Sequence, residues 1–86
     1  MSSQEVIDKI IELKHLGIKE QQFEVCSHLR DIENAFTNSK HAKVHIEPTE
    51  ENLKIELTKM LEYFKKFNTK SQVIRDIKLM LLLGEI

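Results

Sequence analysis

The sequence predicts an all-α fold, two helical hairpins forming a small four-helix arrangement, with dimerisation as one way of completing the core. Three observations carry this. The 86 residues include two glycines and one proline, too few turn-formers for a sandwich or barrel of many short strands. Apolar residues recur at i, i+3 and i+4 in four separate stretches. Each stretch opens on a helix-capping residue or closes on short polar residues, which compete with a helix for backbone hydrogen bonds. A chain this short buries only roughly 60% of the surface its unfolded form exposes, so a second copy or a partner is the expected supplement to its core.

Ser2 followed by Glu5 is a capping-box pattern, and Val6, Ile7, Ile10 and Ile11 continue it at helical spacing. A first helix is therefore expected from about Ser3 toward Ile18. Gly17, near its end, suits either a C-terminal cap or a gap that admits a neighbouring backbone. The polar stretch Lys19 to Gln22 leads into a second helix whose stripe is Val25, Leu29, Ile32 and Phe36. So short a connection makes the pair an antiparallel hairpin. Thr37, Asn38 and Ser39 end the second helix. Residues 39–48 read as a linker in which Ala42, Val44 and Ile46 alternate with polar residues, a pattern compatible with one short strand-like piece.

Pro48 and Thr49 followed by Glu50 and Glu51 open a third helix, with the acids near its positive end and Lys65 and Lys66 near its negative end. Leu53, Leu57, Met60, Leu61, Phe64 and Phe67 share one face. Asn68 and Thr69 punctuate the chain, with Thr69 or Ser71 as the next cap. The fourth helix carries Val73, Ile74, Ile77, Met80 and Leu81 on one face, while Leu79, Leu82 and Leu83 spread apolar character around its end. A helix end apolar all round is buried in its own fold or against another chain. The organisation expected is a first hairpin over 1–38, a linker over 39–48 and a second hairpin over 49–86.

Several functional classes are disfavoured by composition. Thirteen Lys and Arg stand against fourteen Asp and Glu, so no concentrated basic face is expected to bind phosphates by counterion release. The lone Cys26 has no internal disulfide partner, and no apolar run approaches the roughly 18 residues of a membrane span. A reducing, cytoplasmic setting and no secretory signal are the expectations. His41 and His45 are four apart where helical signals fail, and Cys26 and His28, two apart, point to different sides of a helix; no metal site is expected. No glycine-rich phosphate loop or flanked nucleophile is present, so neither enzymatic activity nor a cofactor is expected.

One segment stands out. Phe23 to Asp31 reads F-E-V-C-S-H-L-R-D. It resembles the UVR (UvrB/UvrC) motif, over about Val6 to Phe36. The usual form has two alanines where this chain has Cys26 and Ser27, often an alanine at the place of Gly17, and an apolar residue at the place of Glu33. Two small residues allow close helix approach, Glu24 suits the positive end of its helix, and Arg30 with Asp31 offers a charge pair. Phe23 is expected to fold back over the hairpin turn and close it.

The UVR family is a helical hairpin of excision-repair subunits, of ClpC-type unfoldases and of their accessory proteins, where it mediates association. The resemblance implies a non-catalytic interaction module or adaptor, docking on a repair or Clp-type machine through Phe23, Glu24, Leu29, Arg30 and Asp31. Leu79, Leu82 and Leu83 are the expected self-association surface of a homodimer. The alternative is a small helical regulator contacting nucleic acid through Lys59, Lys65, Lys66 and Lys70.

Overall fold

A computed structural model describes residues 2–40, 42–66 and 70–84. They form four α-helices, α1 (Ser3–Lys19), α2 (Phe23–Thr37), α3 (Glu50–Lys65) and α4 (Gln72–Leu83). The capping box is formed: the Glu5 N–H donates to Ser2 Oγ (3.2 Å) and the Ser2 N–H to the Glu5 carboxylate (3.1 Å). Val6, Ile10 and Leu13 turn inward along α1.

The α1 end settles the two uses open to Gly17. Gln21 takes the left-handed position (φ 61°). The Gln22 N–H then reaches back to the Gly17 carbonyl (2.9 Å) and the Gln21 N–H to that of Ile18 (3.0 Å), a Schellman closure with glutamine where glycine is usual. Gly17 itself lies inside the helix and is the gap. A Cβ there would stand 2.8 Å from Cys26 Sγ, so the neighbour that enters is a side chain of α2. The Cys26 thiol donates to the Lys14 carbonyl (3.6 Å), and burial pushes its pKa up. Across the same hairpin Lys14 pairs with Glu33, both largely shielded from water.

Val25, Leu29, Ile32 and Phe36 bury the inner side of α2. Asn38 ends the helix in the left-handed region (φ 55°). The Ala35 carbonyl, orphaned by that end, accepts the Ile46 N–H (3.0 Å) and the His45 Nδ1–H (3.1 Å), so the linker lies down on α2. Residues 42–49, including Ala42, Val44 and Ile46, form no strand; Ile46 packs on the core instead. Thr49 caps α3 by accepting the Asn52 N–H (3.1 Å). Leu53, Leu57, Met60 and Phe64 are buried and Leu61 is packed against them. Phe67, Asn68 and Thr69 lie outside the described residues.

Ser71 caps α4, accepting the Ile74 N–H (3.4 Å). The remaining donors of that helix start are met from the other hairpin. Glu20 Oε1 accepts the Val73 N–H (3.1 Å) and the Ser71 hydroxyl (3.1 Å), and Oε2 accepts the Gln72 N–H (2.8 Å). Partial burial works to raise the Glu20 pKa, but these three hydrogen bonds outweigh it and hold the carboxyl below the ordinary glutamate range. Val73, Ile74, Ile77 and Met80 complete a single core shared by all four helices.

Two outcomes follow from the hairpin and its cap. Gly17→Ala should lower the melting temperature of the wild-type chain, because the added Cβ would stand 2.8 Å from the Sγ of the buried Cys26 and one of the two must shift. In a Cys26→Ala background the nearest remaining atoms stand 3.9 Å away, and the same change should stabilise by up to about 1 kcal/mol of helix propensity. Glu20→Ala should cost about 1 kcal/mol near neutral pH. Because the folded pKa lies below the unfolded one, this contribution is complete above about pH 4.5 and fades as pH falls through the folded value. Thermal melts of both proteins from pH 7 to pH 3 should therefore converge; a constant gap would separate the stabilisation from the carboxylate charge.

Candidate interaction surface

The outward side of α2 is built by what the inward side excludes. Val25 and Leu29 take the core positions, and on a helix of 3.6 residues per turn Phe23 then falls on the opposite side. Phe23 is 68% exposed, which corrects the expectation that it folds back over the turn. The turn is closed by the Gln21 and Gln22 N–H groups and by Cys26 against Gly17, without the ring. Leu29 is completely buried and has no surface for a partner, a second correction, since a residue of the core stripe cannot also serve the outer face. Glu24, Arg30 and Asp31 are exposed. Phe23 and Arg30 are seven residues apart and so aligned two turns along one face, with Glu24 and Asp31 aligned beside them. Among the described residues neither Arg30 nor Asp31 has an ion-pair partner.

Next to this face the bundle is open. The α1 helix packs along α2 and also meets α4, and α3 meets α4, but the backbones of α2 and α3 make no comparable approach. At one end side chains bridge them: the His28 ring lies 4.5 Å from that of Tyr63 and 4.9 Å from that of Phe64, and the Tyr63 hydroxyl donates to Glu24 (3.4 Å). At the other end the linker crosses on Ala35. Between the two lies a cleft of about 510 Å³ with Ile32, Ala35 and Met60 in its floor, Val44 and Asp31 at its edge, and Ile46 in the linker wall. No sequence pattern announced this cleft, because it depends on how far α2 and α3 are held apart.

The other expected sites are placed as follows. Leu79, Leu82 and Leu83 are all exposed, Leu82 to 82%, while Met80 turns into the core. Cys26 faces α1 and His28 faces α3; His41 lies outside the described residues, among which no group of three or more His, Cys, Asp or Glu could hold a metal ion. Lys59 is paired with Glu56 (3.1 Å), dividing the lysine set. No helix among the described residues is long and apolar enough to cross a membrane. Two polar contacts escaped sequence reasoning, Lys14 with Glu33 and Glu20 with the start of α4. For Glu20 one signal was present: an acid at a helix C-terminus opposes the dipole there, which suggests use elsewhere. No family model, curated protein or solved structure matches the chain.

Phe23→Ala should shift stability by no more than about 0.5 kcal/mol, as for an ordinary surface change. Leu29→Ala should cost about 2 to 5 kcal/mol. Urea melts of the two variants measure the contrast, and a large loss for Phe23→Ala would return that ring to the core.

Proposed function

We infer that this chain is a non-catalytic interaction module of the UVR type, an adaptor that docks through the outer face of α2 on a protein of a repair or Clp-type machine. Supporting the reading most directly is the alignment of Phe23 and Arg30, an exposed aromatic ring and, two turns away, a guanidinium with no ion-pair partner among the described residues. Aromatic and arginine side chains are the types that dominate binding energy at protein interfaces. Glu24 and Asp31 supply the acidic half of the same surface; Leu29 belongs to the core beneath it.

Three of the departures from the usual motif, Gly17, Cys26 and Glu33, support the hairpin part of the reading, because each meets a partner across the α1–α2 contact. Gly17 and Cys26 replace two alanines and face one another, the missing methyl of one making room for the sulfur of the other. Glu33 replaces an apolar residue and is met by Lys14. The leucines left outside on α4 are the self-association surface, and the functional unit is a dimer. No cofactor or metal enters this function.

The experiment is capture from host lysate with the wild type and with Arg30→Ala, followed by affinity measurement on the protein retained. Arg30→Ala should weaken binding by about 1 kcal/mol or more, roughly fivefold to tenfold, with helicity unchanged by circular dichroism. Equal retention by both proteins would remove Arg30 from the interface. Affinity for DNA that falls steeply with salt, in place of any protein partner, would favour the nucleic-acid regulator.

A further inference from the structure

Two features remain without a partner in the fold described above. One is convex: Leu79, Leu82 and Leu83, at i, i+3 and i+4, form an apolar turn on the outside of α4. The other is concave, the cleft between α2 and α3. We propose that they are the two halves of one contact, the leucine turn of one copy seating in the α2–α3 cleft of a second copy. This rests on the self-association reading and says where the leucines go.

Size argues for a concave receiver. Specific interfaces take about 800 Å² from each partner, and three leucines on little more than one turn of helix fall short of that when two α4 helices lie side by side. A cleft covers an inserted turn from several directions and supplies the missing area from its walls. The cleft of about 510 Å³ is floored by Ile32, Ala35 and Met60, and Val44 at its edge is 63% exposed, an apolar side chain with nothing over it.

Charge argues for the same pairing. Arg75 and Lys78, immediately before the leucines, are exposed and have no ion-pair partner among the described residues. The α2 edge of the cleft presents Asp31, also unpaired there. Of the cations in the cleft wall, Lys59 is held by Glu56 (3.1 Å) and Lys43 lies on the linker side. Arg75 or Lys78 approaching along α2 therefore meets an acid before the leucines reach the floor. When two copies exchange this contact reciprocally, the leucines of each in the cleft of the other, the interface is isologous and closes as a two-fold dimer. Asp31 then serves both this contact and the docking face, so the second copy and a protein partner compete for it.

The test uses the full chain and two variants altered only at exposed residues, with helicity checked for each. Leu82→Ser with Leu83→Ser removes the turn, and Asp31→Lys with Val44→Lys blocks the cleft. In sedimentation across the micromolar range the wild type should associate above its 10.1 kDa monomer mass, and each variant alone should do so at least tenfold more weakly. Mixed, they should associate through one of the two contacts, the leucines of the cleft-blocked variant in the cleft of the other, more weakly than the wild type but more strongly than either variant alone. A monomeric wild type would overturn both this contact and the self-association reading. Undiminished association of the cleft-blocked variant, with the leucine variant monomeric, would overturn this contact alone and leave a leucine-to-leucine seam. Mixed variants that stay monomeric, both remaining helical, would also overturn it.

Discussion

The carboxylate of Glu20 is the polar tie on which the meeting of the two hairpins depends. A helix start exposes N–H groups with no partner inside their own helix, and α4 begins with its cap residue, Ser71, buried. Ser71 satisfies one donor; Glu20 takes the next two and the Ser71 hydroxyl. The charge also sits at the positive end of the α4 dipole. The α1–α2 turn is thereby anchored to the start of the fourth helix, and α1 is placed beside α4. Apolar burial supplies the bulk of the stabilisation but no direction; this hydrogen-bond set supplies the direction.

Anchoring α4 on the α1–α2 turn has a cost on the far side of the molecule. The α1 helix packs along α2 and meets α4, and α3 meets α4, so α2 and α3 are not among the helix pairs whose backbones approach most closely. Their gap is held at one end by the His28, Tyr63 and Phe64 rings and at the other by the linker on the Ala35 carbonyl. An opening with both ends fixed keeps its shape, which suits recognition better than a gap that closes on itself.

The first hairpin shows how a close contact tolerates substitution when both sides change. Gly17 gives up helix propensity and Cys26 fills the space released, so neither position reads correctly alone. Glu33 brings a carboxylate to a place that packs against α1, and Lys14 meets it there. The outer face of α2 carries no such constraint, leaving Phe23, Arg30 and Asp31 available for recognition.

The sequence by itself determined most of what acts within one or two turns of chain, though not the Gln21 closure that ends α1. The Ser2–Glu5 box, the Thr49 cap, the four stripes and the inward face of α4 were legible because helical contacts fall at fixed offsets of three and four residues, whereas the cap of α4 was narrowed to Thr69 or Ser71 and the structure chose Ser71. The separation of Leu79, Leu82 and Leu83 from the Met80 face followed from the same periodicity. Only the tertiary structure decided which side of Gly17 mattered, that Phe23 stands in water, that Leu29 belongs wholly to the core, and that Glu20 serves a helix some fifty residues further on. Those outcomes depend on which elements become neighbours, and a polar residue records its own chemistry but not the address of its partner. The cleft is the extreme case, since it is made by the distance between two helices and no residue encodes it alone.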